Sequence, residues 1–165
     1  MRSRALVCMF LGVCLLGIPL IINLPSKLIC NASNSVPRGL YGVVNEAPSH
    51  GKTVVVRLPF HVKKQVHELG ILPVNMPLLK PVAALQNDEI CRFGHVIYIN
   101  KEAVSVALKY DKKGQKLPQW QGCFVLKSDE FFLLSEHKTS FDSRYFGTIN
   151  RQNIEGVAKP LWVWK

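Results

Sequence analysis

The chain carries no recognisable metal signature. Its five histidines, His50, His61, His67, His95 and His137, never stand at the HxxxH or HExxH spacing that brings two imidazoles to one side of a helix. It has no CxxC pair, since Cys91 and Cys123 lie too far apart for a redox or zinc motif, and no glycine-rich loop to cradle a phosphate. Acids are scarce: 11 against 21 lysines and arginines, a formal charge of +10. Such a surplus invites a nucleic-acid reading, but the basic residues are scattered or come as short pairs, Lys63-Lys64 and Lys112-Lys113. The charge therefore reads as solubility and attraction to an anionic membrane surface, with no nucleic acid as partner. Internal repeats and low-complexity segments are absent too. No metal and no cofactor is expected.

What the chain does have begins with Ala5 to Ile22, ALVCMFLGVCLLGIPLII, a run without a charge and long enough to span a bilayer. Arg2 and Arg4 precede it and only Lys27 follows closely, so the positive-inside rule keeps the N-terminus in the cytoplasm. The expected division is residues 1–24 as cytoplasmic N-terminus and transmembrane anchor, and 25–165 as one domain outside the cytoplasmic (inner) membrane. A cleaved signal peptide, cut before Ser33, is the rival reading. Cys8 and Cys14 lie in the apolar run and Cys30 at its outer edge; Cys91 and Cys123 are either two buried thiols or a disulfide.

Past the run, Gly39–Asn45 reads as extended and Thr53–Val56 as a buried β-branched strand. Phe60–Leu69 changes to helical period, with Gly70 suited to end it. A strand carries Lys80 through Val82 to Leu85. Val96–Ile99, Asn100-Lys101 and Ala103–Ala107 predict a hairpin, and Tyr110–Trp120 a loop. Phe124–Leu126 and Phe131–Leu134 are strands, and Ser140–Gly147 is a polar turn holding aromatics. One short helix among many short strands predicts a mainly β domain.

Two features invite chemistry. Asn31-Ala32-Ser33-Asn34-Ser35-Val36-Pro37-Arg38-Gly39 sets hydroxyls on a turn just beyond the apolar run. By itself it is either a polar linker or the seat of a nucleophile. Lys80 stands alone among Met76-Pro77-Leu78-Leu79 and Pro81-Val82-Ala83-Ala84-Leu85. A serine needs a base to remove its proton, and lysine serves only when burial keeps it neutral. The alternative is a lysine whose stem packs while its ammonium reaches water.

Three blocks resemble the Ser/Lys signal peptidases of the S26 class, in their conjugative-transfer branch of TraF-type pilin-maturation peptidases. Ser33-Asn34-Ser35-Val36-Pro37-Arg38-Gly39-Leu40-Tyr41 is similar to the branch's S-x-P-x-G-x-Y. Leu79–Leu85 leads into Asp88-Glu89-Ile90-Cys91-Arg92. Ser140-Phe141-Asp142-Ser143-Arg144-Tyr145-Phe146-Gly147 is similar to the class's S-x-D-S-R-Y-[WF]-G. The resemblance implies a signal-peptidase-like β-barrel, Ser35 as nucleophile and Lys80 as general base. It implies an oxyanion met by the Ser35 main-chain N–H and the Ser33 hydroxyl, Ser140 orienting Lys80, and a supporting Asp142–Arg144 ion pair. The branch also tends to carry cysteines where Cys91 and Cys123 stand, which favours a disulfide between them.

The implied activity is endoproteolysis of a conjugative pilin precursor or another signal-peptide-bearing substrate, with water or the pilin's own N-terminus resolving the acyl-enzyme. Other conjugation-apparatus proteins are the further partners implied. Trp162 and Trp164 either rest at the membrane interface or close the core. Where housekeeping signal peptidases carry Pro-Gly-Asp and Gly-Asp-Asn-Arg, this chain has Gln86-Asn87-Asp88 and Ser135-Glu136-His137-Lys138. Those departures count against the first rival function, a general type I signal peptidase. The second rival is a non-catalytic periplasmic assembly factor.

Overall fold

The computed structural model describes residues 27–68, 70, 73 and 76–164. The expected anchor lies outside the described residues, among which no helix is long and apolar enough to cross a membrane. Eleven strands are described: β1 (Lys27–Asn31), β2 (Gly39–Val44), β3 (Thr53–Val56), β4 (Leu78–Ala84), β5 (Glu89–Phe93), β6 (Val96–Ile99), β7 (Glu102–Val106), β8 (Gly122–Val125), β9 (Glu130–Leu133), β10 (Ile149–Asn150) and β11 (Ile154–Val163). Helix α1 spans Phe60–Glu68 and α2 spans Ser143–Phe146.

The strands form a seven-stranded sheet, β1-β2-β11-β3-β4-β9-β10, and a four-stranded sheet, β7-β6-β5-β8. The expected barrel is thus realised as two sheets, and among the described residues β1 and β10 end the larger one without pairing to each other. Register shifts in β4 and β11 bend that sheet, as bulges do. Because side chains alternate across a strand, β3 feeds two cores. Val54 and Val56 pack with Val62 and Val66 of α1, Leu78, Val82 and Leu133. Val55 packs with Val36, Tyr41, Val43 and Leu79. Lys80 lies opposite Val54 in the β3–β4 register, so a cation sits in the middle of apolar packing.

Most expected elements stand close to where the pattern put them, including the β6–β7 hairpin with positive φ at Asn100 and Lys101. Three differ. Ser140–Gly147 is not only a turn: it contains α2, N-capped by Asp142, whose side chain accepts from the Arg144 N–H. Lys27–Asn31 is a strand whose edge precedes the serine loop. The C-terminal stretch is the longest strand, ten residues, pairing β2 and β3 at once. Pro160 hides it in the sequence, yet here Pro160 sits at a register shift, where a missing N–H is tolerated. Gly39 permits the crossing, since a Cβ there would stand 2.2 Å from the Trp162 carbonyl oxygen.

Candidate active site

Ser35 rides on the loop joining β1 to β2, and Asn31 shapes that loop from within. The buried Asn31 amide donates to the carbonyls of Ser33, Val36 and Pro37 at 3.0, 3.1 and 3.0 Å. Its Oδ1 accepts from the Ser33 N–H at 3.1 Å and hydroxyl at 2.8 Å. Tyr41 adds a phenol donating to the Pro37 carbonyl at 2.7 Å. A loop this thoroughly bonded to its own backbone is a support, not a linker.

Lys80 reaches this loop from β4, only 3% exposed. Its Nζ donates to Ser35 Oγ at 2.6 Å and to Ser140 Oγ at 2.6 Å, and the two hydroxyls lie 3.0 Å apart. Burial pushes the Lys80 ammonium down from 10.5 to about 8; Asp142 pulls it back up and Arg144 pushes it further down. The snorkelling alternative is therefore not what is found. No described histidine bonds to Ser35, whose hydroxyl partners are Lys80 and Ser140.

The 140–144 segment frames the lysine. Arg144, 1% exposed, forks onto the fully buried Asp142, Nε–H to Oδ1 at 2.8 Å and Nη2–H to Oδ2 at 2.6 Å. Nη2 also donates to the carbonyls of Ser135, His137 and Ser140 at 3.2, 3.0 and 3.4 Å. One guanidinium thus gathers the backbone on which Ser140 stands. The expected ion pair is present, and so is the expected Ser140–Lys80 contact.

The Ser33 hydroxyl is committed to Asn31 Oδ1, so it must leave that partner before it can donate to an oxyanion. The Ser35 main-chain N–H has no hydrogen-bond partner among the described residues. Cys91 and Cys123 are bonded to each other, directly opposite one another in the β5–β8 register; Cys30 is a free, exposed thiol. Among the described residues no three His, Cys, Asp or Glu side chains gather as a metal site. Trp162 and Trp164 are exposed rather than closing the core.

Ser135 was not singled out by motif reasoning, yet it joins loop to clamp. Its hydroxyl donates to the Ser35 carbonyl at 2.6 Å, its N–H to Asp142 Oδ2 at 3.1 Å. It stands in the block where the sequence departs from the Gly-Asp-Asn-Arg pattern, and that departure was the available signal. Several clefts open onto Ser35. One, of about 490 Å³, is largely apolar, with Ile29, Leu78, Leu79, Met76 and Phe141 in its wall. Another, of about 480 Å³, runs past Val82, Ala83, His50 and Glu136.

Comparison with known proteins finds a family, two relatives and a solved structure. The chain matches the family described as signal peptidase, peptidase S26, over residues 2–164. Two plasmid transfer proteins TraF of Escherichia coli are 31% and 30% identical to it over 145 residues, covering 81% of this chain and 82% of each relative. A signal peptidase I structure from Enterococcus faecalis superposes with a TM-score of 0.40 and 17% identity, over 68% of this chain and 97% of that one.

Proposed function

The chain belongs to the signal peptidase family, peptidase S26, and we propose that it is a membrane-anchored serine endopeptidase working through Ser35 and Lys80. The observation that carries the reading is the 2.6 Å contact between Lys80 Nζ and Ser35 Oγ at a lysine sealed from water. With a pKa of about 8, roughly a tenth of Lys80 is neutral at pH 7, against about one part in three thousand at 10.5. The neutral amine accepts the Ser35 proton as Oγ attacks the peptide carbonyl. The oxyanion forms toward the Ser35 N–H and, once turned from Asn31, the Ser33 hydroxyl. Collapse of the tetrahedral adduct expels the amine, which takes the proton from the Lys80 ammonium and leaves an acyl-enzyme. Water or a free amine, deprotonated by Lys80, then releases the acyl group. Ser140 keeps the amine aimed throughout.

An extended substrate fits by adding a strand beside the edge of β1 that no described strand pairs, with side chains entering the apolar cleft. Similarity to plasmid transfer proteins favours a conjugative pilin precursor as that substrate, with cyclisation as one fate of the acyl-enzyme. The charge-free run Ala5–Ile22 and the exposed Trp162 and Trp164 support a domain held against the outer face of the cytoplasmic membrane. Ser35→Ala and Lys80→Met should each abolish maturation of the precursor in cells. Mature pilin in both variants would sink the catalytic reading. Mass spectrometry of the wild-type product reports the cut position and any loss of water on cyclisation together. The rate should climb with pH through a midpoint near 8; a flat profile from pH 6 to 9 would remove lysine as the base.

A further inference from the structure

A third buried cation, after Lys80 and Arg144, lies beside the site, and the proposed chemistry does not use it. Arg92 in β5 is fully buried and has no carboxylate partner among the described residues. Its Nε–H donates to the Gly94 carbonyl at 3.0 Å and its Nη1–H to the Arg144 carbonyl at 2.7 Å; Nη2 has no partner among the described residues. The guanidinium stands 5.9 Å from the centre of the Trp120 ring. Two carbonyls and a ring face offset only part of the cost of burying such a charge. The position therefore demands a reason in what Arg92 holds.

It holds α2. The last carbonyls of a helix have no partner within it, and Arg144 is one residue of this four-residue helix. A second donor from the same side, Trp120 Nε1–H, reaches the Ser143 carbonyl at 3.1 Å, sharing it with the Gly147 N–H that caps the helix at 3.1 Å. Both donors neighbour the Cys91–Cys123 bond: Arg92 follows Cys91, and Trp120 shortly precedes Cys123. That bond ties β5 to β8 at facing positions, so it sets the spacing between the two donors. From α2, the Arg144 side chain continues inward to the Ser140 carbonyl and Asp142.

We propose that Arg92 is a positioning residue for Ser35, Lys80 and Ser140, gripping α2 by its carbonyls together with Trp120, across a spacing that the Cys91–Cys123 disulfide sets. The small sheet thereby presses Ser140 onto Lys80 and keeps water from the amine. The proposal rests on the reading of Lys80 as the base, but its test requires no substrate.

The full chain, in detergent micelles, is labelled with ¹³C at lysine Cε. Lys80 is identified by the resonance missing from Lys80→Met, and its titration is followed. The native midpoint is expected near 8. In Arg92→Met and in Trp120→Phe it should rise by about one unit, as water reaches Nζ through a loosened 140–144 segment. Arg92→Lys, which retains a donor for the Arg144 carbonyl, should recover at least part of that shift, and reduction of the disulfide should move the midpoint upward. Unchanged midpoints in folded Arg92→Met and Trp120→Phe overturn the proposal and leave the base assignment intact. Should Arg92→Met fail to fold, Trp120→Phe decides by the same criterion, since it removes the Nε1–H donor while leaving a six-membered ring to pack against Phe124 and Phe132. A native midpoint at the ordinary lysine value would instead defeat the reading of Lys80 as base.

Discussion

Strand β4 and the 140–147 segment each bury a cation at the same site, and they treat it in opposite ways. Arg144 meets Asp142 through two charge-assisted hydrogen bonds and three carbonyls besides. Among the described residues, Lys80 hydrogen-bonds only the hydroxyls of Ser35 and Ser140. A guanidinium with a carboxylate stays charged and serves as a brace. An ammonium among hydroxyls and aliphatic walls has its charged form penalised, so it gives up its proton more readily and the free amine is then able to take one from a hydroxyl. The difference lies less in the two side chains than in where the chain places the one buried carboxylate among the described residues: on Arg144, leaving Lys80 without a close counter-ion among them.

The largest way to break this contrast is to take the carboxylate away. Asp142→Ala leaves Arg144 buried without its partner and also removes the cap of α2 and the acceptor for the Ser135 N–H. A loss of about 3–5 kcal/mol is expected, read as a fall in denaturation midpoint, with activity lost alongside. An unchanged midpoint would mean that the pair is not what braces the segment.

Smaller, and opposite in sign, is Lys80→Met. Unfolded Lys80 binds its proton up to about pH 10.5, whereas in the fold it releases it near 8. The unfolded state thus holds more protons between those values, and native stability should rise with pH across that window. Below pH 8 the full penalty of the buried charge is present, about 3 kcal/mol from the shift. Two lost hydrogen bonds offset part of it, at about 1 kcal/mol each. Lys80→Met should therefore stabilise the protein at pH 7 by about 1 kcal/mol, and the advantage should vanish as pH rises toward 10.5. Parallel stability curves for the two proteins from pH 7 to 10 would contradict this account of Lys80.

The finest test separates aiming from charge. Ser140→Ala removes one hydroxyl from Lys80 but no ion, so a loss of about 1 kcal/mol in transition-state stabilisation, about fivefold in kcat/KM, is expected. KM should be largely unchanged if Ser140 only orients the base. An effect confined to KM would reassign Ser140 to substrate binding.

The legible parts of the site were those written locally. Lys80 announced itself as the lone charge in an apolar strand, and the 140–147 motif carried its ion pair within three residues. Ser135, Asn31 and Arg92 were not legible as functional, because their significance lies in partners supplied by folding. Ser135 reaches back to the Ser35 carbonyl across 100 residues, and Arg92 meets the Arg144 carbonyl across 52. Strand β11 was obscured for a similar reason. Pro160 and Gly156 argue against a strand when read alone, and both are accommodated only at the register shifts against β2 and β3.

The sequence by itself determined the groups that the proposed chemistry uses: a serine on a proline- and glycine-bounded loop, a lysine with aliphatic neighbours, and an Asp-x-Arg clamp. Tertiary structure alone decided that they meet. Lys80 lies 45 residues from Ser35 and 60 from Ser140, and only the packing of β4 against β3 and β9, with the serine loop laid over it, brings the three within hydrogen-bonding distance. It also decided that the lysine's pKa is lowered, because that lowering comes from the exclusion of water, and the exclusion is a property of the packed core rather than of any stretch of chain.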